Sequence, residues 1–164
     1  SYAKEAILWT QKMLTADESQ YLHSFVLRHQ ADDFVCVHGS LIEPEKFHYV
    51  WGVNDARAIF LKLDKHICFV GHSHKMEAYC YDGKKATYLC EYEFKLDPAK
   101  KYIINVGSVG QPRDRDPRAC FCIYDTTEDA ITFVRREYNV KRAAEKILDE
   151  KLPSILASRL YVGW

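Results

Sequence analysis

The sequence has 164 residues, 48% of them hydrophobic, which is enough to bury one substantial core but not two. Its 23 basic and 23 acidic residues give a formal net charge of zero, so the overall charge does not favour a nucleic acid or a membrane surface as a partner. No apolar run reaches the roughly 18 residues that a membrane span needs, and the N-terminus is unlike a signal peptide. We expect a single domain over residues 1–164 in the cytoplasm.

Apolar residues follow a helical spacing over residues 2–27, with an interruption near residues 15–19. Thr15 and Asp17 both offer N-caps there, so the pattern predicts two short helices. A further helix is predicted over residues 54–64, capped by its asparagine.

Two apolar runs predict buried strands that end in histidines. The run at residues 33–37 leads into His38, and the run at residues 67–70 leads into His72 and His74. A glycine stands beside the histidines in both segments, and we expect it to let the backbone approach bound ions closely.

The second half of the chain is predicted to contain a hairpin, a central strand, an antiparallel pair of strands and a final helix. These elements are expected at residues 79–81 and 86–92, 102–106, 119–124 and 131–138, and 140–151. The loop at residues 107–113 contains glycines and a proline that oppose regular structure, and Pro153 ends or restarts the last helix.

The six cysteines are expected to be reduced and mostly buried. Cys36, Cys68, Cys120 and Cys122 lie in strand-like apolar runs, where cysteine behaves as a small hydrophobic residue. No C-x-x-C pair occurs, which disfavours a zinc site built from cysteines. The aromatic residues are likewise expected to serve in core and hairpin packing.

The histidines at the strand ends are the candidate metal ligands. Side chains there project from rigid backbone into a crevice, and neutral imidazole is a common ligand of zinc, iron and manganese. A single histidine such as His38 is more often a hydrogen-bonded surface residue, whereas the pair His72 and His74 favours metal binding more strongly. The remaining histidines lack this setting and are expected to be solvated: His23, His29, His48 and His66.

Three segments occur in the order, and at about the separations, found in the calcineurin-like metallophosphoesterases, which this sequence resembles. They are VHGS at residues 37–40, GHSH at residues 71–74 and NVGSVGQPRD at residues 105–114. The likeness covers nearly the whole chain and is greatest to small prokaryotic members regarded as phosphodiesterases, protein phosphatases or diadenosine tetraphosphatase-like proteins.

The resemblance implies an α/β (α+β) fold, the C-terminal part of a four-layer α/β/β/α sandwich. It also implies two divalent metal ions, Mn, Fe or Zn, with His38 and His72 as ligands of one ion and His74 as a ligand of the other. In the family, the remaining ligands and the histidine proposed as general acid come from earlier motifs, which this sequence lacks. We therefore expect the C-terminal half of the domain, inactive alone, with those groups located before Ser1.

The activity that the resemblance implies is hydrolysis of a phosphate mono- or diester, in a small molecule or a phosphoprotein, by a metal-activated hydroxide. Arg113, and less strongly Arg118, are candidates to bind the substrate phosphate, because guanidinium groups bind phosphate in a bidentate manner. The alternating charges around Arg113 instead favour a solvated, salt-bridged loop. Asn105 is expected to stabilise a turn by bonding to nearby backbone.

Two other functions remain open. One is a module that keeps the phosphoesterase fold but only binds or scaffolds, and the other is a mononuclear site in which His38, His72 and His74 bind one metal outside phosphate chemistry. Absence of the early strands also predicts an unpaired sheet edge and a bared apolar face, so the isolated chain is expected to self-associate.

Overall fold

The computed structural model describes all 164 residues and contains five α-helices and nine strands. The helices are α1 Tyr2–Met13, α2 Ala16–His23, α3 Val53–Phe60, α4 Val140–Asp149 and α5 Ser154–Ser158. The strands are β1 Arg28–Gln30, β2 Phe34–Val37, β3 Ile67–Val70, β4 Met76–Tyr81, β5 Ala86–Leu89, β6 Glu93–Lys95, β7 Lys101–Val106, β8 Ala119–Asp125 and β9 Ala130–Arg136. Single 3-10 turns lie at Pro44–Lys46 and Arg159–Tyr161.

Six strands form the larger sheet, in the order β1-β2-β3-β7-β4-β5. Strands β2, β3 and β7 run parallel to one another, while β1, β4 and β5 pair antiparallel with their neighbours. The parallel strands are completely buried at Val35, Ile67, Cys68 and Ile103, which explains their continuous apolar runs. Because parallel strands end at the same edge of a sheet, the segments that follow β2, β3 and β7 meet there.

The larger sheet packs between a helix and a second sheet. On one face, Ala56, Ile59 and Phe60 of α3 join a core cluster with Val35 and Ile103. The opposite face packs against the three-stranded antiparallel sheet β6-β9-β8, in a cluster that contains Ile67, Ile104, Ile131 and Phe133. Consecutive residues of β7 therefore enter different layers. The predicted fold class is confirmed as a mixed α+β fold with two sheets.

The N-terminal helices form where the sequence predicts them. The Thr15 hydroxyl accepts a hydrogen bond from the Glu18 amide, and the Glu18 carboxylate accepts one from the Thr15 amide, which completes a capping box. Neither α1 nor α2 contains a buried residue, and several of their apolar side chains are exposed.

The predicted cap of α3 is wrong. The helix begins at Val53, Gly52 takes the N-cap position without a side-chain bond, and Asn54 lies inside the first turn. Its N-terminus is held instead by Asp55, whose carboxylate accepts a hydrogen bond from the Trp51 amide at 2.8 Å. The helix also ends at Phe60, earlier than predicted.

Two strands that periodicity did not predict, β1 and β6, have three residues each, too few to show alternation, and both are exposed or half-buried. Strand β8 pairs only with β9, which leaves a seven-residue edge on which Phe121 and Ile123 are exposed. The cysteines are all free, with Cys68 and Cys120 buried. None of the helices is both long enough and apolar enough to cross a membrane.

Candidate functional site

The ends of β2 and β3 bring His38 and His72 into contact. Nδ1 of His72 lies 3.1 Å from Nε2 of His38, and the ring centroids are 4.9 Å apart. The two strands are adjacent and parallel, and the Gly71 amide donates a hydrogen bond to the His38 carbonyl at 2.9 Å. This bond continues the pairing beyond the strand ends, so the two imidazoles share one edge of the sheet.

His74 is oriented by the loop that follows β7. Its Nδ1 lies 2.7 Å from the Gln111 carbonyl oxygen, and its own carbonyl accepts a hydrogen bond from the Arg113 amide at 3.0 Å. Because a carbonyl oxygen only accepts, Nδ1 must carry the proton, and in the neutral ring Nε2 then holds a free lone pair. A backbone carbonyl on the second ring nitrogen is a common feature of metal-bound histidines.

All three predicted histidines line one cavity of about 310 Å³, together with the beginning of the loop after β7 and with Cys120 and Phe121 of β8. Side chains that follow two different strands therefore lie around one cavity.

The turn that carries His72 and His74 has an uncommon backbone. Both residues lie in the left-handed region, with φ of 62° and 60°, which non-glycine residues rarely adopt and which often accompanies functional sites. Ser73 between them is buried, and its hydroxyl accepts hydrogen bonds from the Asn105 side-chain amide at 2.7 Å and the Lys75 amide at 3.3 Å. Asn105 thus stabilises a turn, but the predicted bond to nearby backbone is wrong, because its partner is the side chain of the distant Ser73. Its Oδ1 is buried without a partner.

Of the two glycines beside the histidines, only Gly39 is required by close packing. A Cβ on Gly39 would lie 2.8 Å from the His48 carbonyl oxygen, whereas a Cβ on Gly71 would meet only the His38 carbonyl oxygen, at an ordinary 3.6 Å. Gly39 is therefore in close contact with the loop after β2.

The surroundings favour neutral histidines. Burial, with the neighbouring His38, His74 and Arg113, lowers the pKa of His72. Burial also lowers the pKa of His74, and Arg113 adds to this effect, although the Gln111 carbonyl opposes it. Since only the unprotonated nitrogen can donate a lone pair to a metal, these shifts favour the metal-binding form at neutral pH.

The donor set fits part of a metal site. Nδ1 of His72 and Nε2 of His38 lie 3.1 Å apart, and imidazole nitrogens are of the type that would hold zinc, iron or manganese. No group of three His, Cys, Asp or Glu side chains is arranged to hold an ion by itself. The residues therefore fit a metal in chemical type while lacking the carboxylate that the resemblance implies.

Arg113 differs from the neighbouring charges in its loop. Asp116 pairs with Arg118 in the loop, as expected for a salt-bridged segment. Asp114 pairs instead with Arg135 of β9, and both side chains are largely buried, so the expectation of a solvated loop is wrong for this pair. None of the ion pairs includes Arg113. Its guanidinium donates instead to the Gln111 side-chain oxygen, at 3.2 Å from Nε and 2.8 Å from Nη2.

Arg159 is a charged neighbour of the site that the sequence did not reveal. Its Nη1 donates to the same Gln111 oxygen at 3.3 Å, and burial together with nearby Arg113 lowers its pKa. Two guanidinium groups therefore share one neutral acceptor beside His74. No local pattern indicates this contact, because it joins residues 48 positions apart.

No model of a known protein family matches the chain. It is 37% identical over 168 residues to the uncharacterized protein MJ0912 of Methanocaldococcus jannaschii, an alignment that covers 99% of this chain and 66% of the relative. Its structure is similar to that of a metallophosphoesterase from Sphaerobacter thermophilus, with a TM-score of 0.86, 32% identity, and coverage of 96% of this chain and 67% of the other. A hypothetical protein from Pyrococcus horikoshii OT3, PH1004, shares the fold at a TM-score of 0.71 and 20% identity, over 95% of this chain and 58% of the other. The chain thus spans about two thirds of the length of its relative MJ0912.

Proposed function

The chain belongs to the calcineurin-like metallophosphoesterase superfamily, and from this we propose that the whole protein containing it hydrolyses phosphate mono- or diesters with the help of divalent metal ions. The observation that carries the proposal is the convergence of His38, His72 and His74 on one cavity at the ends of adjacent strands. The fold shared with the Sphaerobacter metallophosphoesterase supports the same reaction class.

In this proposal, His38 and His72 bind one ion and His74 binds a second through Nε2, the ions being Mn, Fe or Zn. Bound ions of this kind supply Lewis acidity and lower the pKa of water. The carboxylate ligands and the general acid are assigned to the part of the relatives' length that this chain does not match. Neutral imidazoles suit the task because they bind an ion without cancelling its charge.

Two groups of this chain complete the proposed site. Gln111 holds the proton on Nδ1 of His74 and so keeps the opposite nitrogen available. Arg113 has no carboxylate partner and donates to Gln111, and in this proposal its guanidinium is the group that binds the substrate phosphate. In the reaction a P–O bond forms from water, the P–O bond to the alcohol breaks, and the alcohol leaves with a proton.

The test uses the whole protein with added Mn²⁺ and measures both metal content and hydrolysis of p-nitrophenyl phosphate and bis(p-nitrophenyl) phosphate. His72→Ala should lower the metal content and should reduce turnover by on the order of 100-fold or more. Loss of a metal ligand should reduce activity more than loss of a residue that only hydrogen-bonds to a ligand, which typically costs about 10–100-fold. His23→Ala is the matched control, since His23 lies on α2, is exposed, and hydrogen-bonds to the Ser19 carbonyl of the same helix. Unchanged metal content and turnover in His38→Ala, His72→Ala and His74→Ala would overturn the proposal.

A second candidate is an inactive binding module on the same fold, in which the three histidines line a binding cavity. A whole protein that retains no metal and hydrolyses neither ester would support this module. The mononuclear three-histidine site is less favoured, because no three such side chains are arranged around one ion.

A further inference from the structure

The loop after β7, which orients His74, is also held by the segment 159–163 that follows α5. The Arg115 amide donates a hydrogen bond to the Gly163 carbonyl at 2.8 Å, and Nη1 of Arg159 donates to the Gln111 side-chain oxygen at 3.3 Å. Gln111 and Arg115 lie at the two ends of the stretch 112–114. The segment 159–163 therefore contacts the loop on both sides of this stretch.

Gly163 packs against this loop more closely than any side chain would allow. Its φ of +61° lies in the left-handed region, and a Cβ built on it would lie 2.6 Å from the carbonyl carbon and 2.8 Å from the amide nitrogen of Asp116. Arg115, whose amide bonds to Gly163, also has a left-handed φ, of 68°, which non-glycine residues rarely adopt. The two backbones therefore fit each other in one specific arrangement.

The helices that carry the segment 159–163 have a small core of their own. Ala144 of α4, Ala157 of α5 and Leu160 are buried together in a cluster that is separate from the two clusters of the larger sheet. Arg159 precedes Leu160, so this cluster fixes the backbone from which Arg159 extends. The Arg159 guanidinium also lies over the Trp164 ring, 5.6 Å from its centroid, which restrains the side chain.

Gln111 links these contacts to His74. Its side-chain oxygen accepts the hydrogen bond from Arg159, and its backbone carbonyl oxygen lies 2.7 Å from Nδ1 of His74. Pro112, the next residue, is completely buried, and the amide after it, that of Arg113, donates to the His74 carbonyl at 3.0 Å. A displacement of the loop at Gln111 would therefore break or lengthen the bonds that orient the His74 ring.

We infer that Arg159 and Gly163 are positioning residues for His74: they hold the loop after β7 where the Gln111 carbonyl keeps the proton on Nδ1 of that histidine. Nε2 of His74 then keeps its lone pair for an ion. The inference rests on the proposed function for the role of His74 as a metal ligand. Residues that support a metal ligand typically change metal affinity by about 10–100-fold when they are replaced. Arg159 acts one bond further out, so we expect the lower end of this range, about tenfold.

The first measurement is the tautomer of His74 in the whole, metal-free protein at about pH 8, where histidine is neutral. Two-bond ¹H–¹⁵N NMR correlations distinguish the ring nitrogen that carries the proton from the one that does not. The wild type should carry the proton on Nδ1, and Arg159→Ala and Gly163→Ala should each give a mixture of the two tautomers. Two controls should behave as the wild type: Arg142→Ala, an exposed arginine of α4, and Gly83→Ala, whose positive φ is not accompanied by any close contact.

The second measurement is titration of the metal-free whole protein with Zn²⁺ by isothermal titration calorimetry. Arg159→Ala should weaken, by about tenfold, only the binding event that His74→Ala removes, and should spare the event that His38→Ala removes. The double variant of Arg159→Ala and His74→Ala should bind Zn²⁺ as His74→Ala does, because Arg159 acts through His74. Loss of a nearby positive charge would by itself strengthen cation binding, so a weaker event separates positioning from charge.

The proton on Nε2 of His74 in the wild type, or on Nδ1 in both Arg159→Ala and Gly163→Ala, would overturn the inference. Equal weakening of both Zn²⁺ binding events by Arg159→Ala would also overturn it, since that is the result of a general effect on folding. A whole protein that shows the expected tautomer change but binds no metal and hydrolyses neither ester would support the positioning role and refute the proposed function. Metal binding and hydrolysis that neither variant alters would refute the positioning role alone.

Discussion

Gly107, the first residue after β7, offers a sharp test of how the loop beside the candidate site is packed. Its φ of +81° lies in the left-handed region, and a Cβ built on it would lie 2.6 Å from Sγ and 2.7 Å from Cβ of Cys120. Cys120 is 1% exposed and belongs to β8, so it has little freedom to move away. The close approach joins the end of the larger sheet to the second sheet.

Gly107→Ala should therefore be strongly destabilising for two separable reasons. Placing alanine in the left-handed conformation costs about 1–2 kcal/mol, and overpacking a tight contact costs about 1–3 kcal/mol more. Gly83→Ala isolates the first cost, because Gly83 has a φ of +87° but open space around its Cβ position. Gly110→Ala should have almost no effect, since the corresponding Cβ meets nothing within 4 Å and no positive φ is required.

The assay is urea denaturation of the three variants and the wild type, followed by circular dichroism. Gly107→Ala should lose about 2–5 kcal/mol at an unchanged m-value, and its melting temperature should fall by about 5–15 °C for a chain of this size. Gly83→Ala should lose only about 1–2 kcal/mol. If Gly107→Ala proved no more damaging than Gly83→Ala, the reasoning from the Cys120 contact would be refuted.

Two further predictions concern the loop after β7 and the free edge of β8. Hydrogen bonds from Arg118 lower the pKa of Asp116 from its ordinary 3.8 to about 2. This shift corresponds to about 2 kcal/mol of folding stability, which is present above about pH 4 and is lost as the pH falls to about 2. Asp116→Asn should remove this part of the acid dependence, as measured by urea titrations at pH 5 and pH 2.5. Ile123→Lys should reduce self-association of the isolated chain in sedimentation velocity, because Ile123 is 50% exposed on the unpaired edge strand and a charged edge opposes pairing.

Each of these predictions has a matched control. Asp17→Asn removes an exposed carboxylate in the first turn of α2 and should keep the acid dependence of the wild type. If Asp116→Asn lost as much stability between the two pH values as the wild type, the ion pair would not be its source. Leu61→Lys places the same charge at an exposed site outside the sheets and should leave association unchanged. A wild-type chain that sediments as a monomer of 19.1 kDa would contradict the expectation of self-association.

Local sequence was sufficient to predict the elements that carry the site. Strands β2 and β3 are continuous apolar runs, and β7 is apolar from Tyr102 to Ile104, a pattern that indicates burial on both faces. The position of His38, His72 and His74 directly after two of these strands follows from chain order alone. Local rules failed at α3, where Asn54 is the better N-cap by residue type but the chain has already entered the helix at Val53.

Tertiary structure decided which of these parts meet, because strand pairing joins residues far apart in the chain and depends on the whole packed core. The parallel pairing of β2 with β3 sets the 3.1 Å contact of His38 with His72. The same is true of the Arg159 contact with Gln111 and of the stack of Tyr49 on His72. Residue type and spacing determine which groups this protein has available for chemistry, whereas their separations and orientations arise from long-range packing that short segments do not encode.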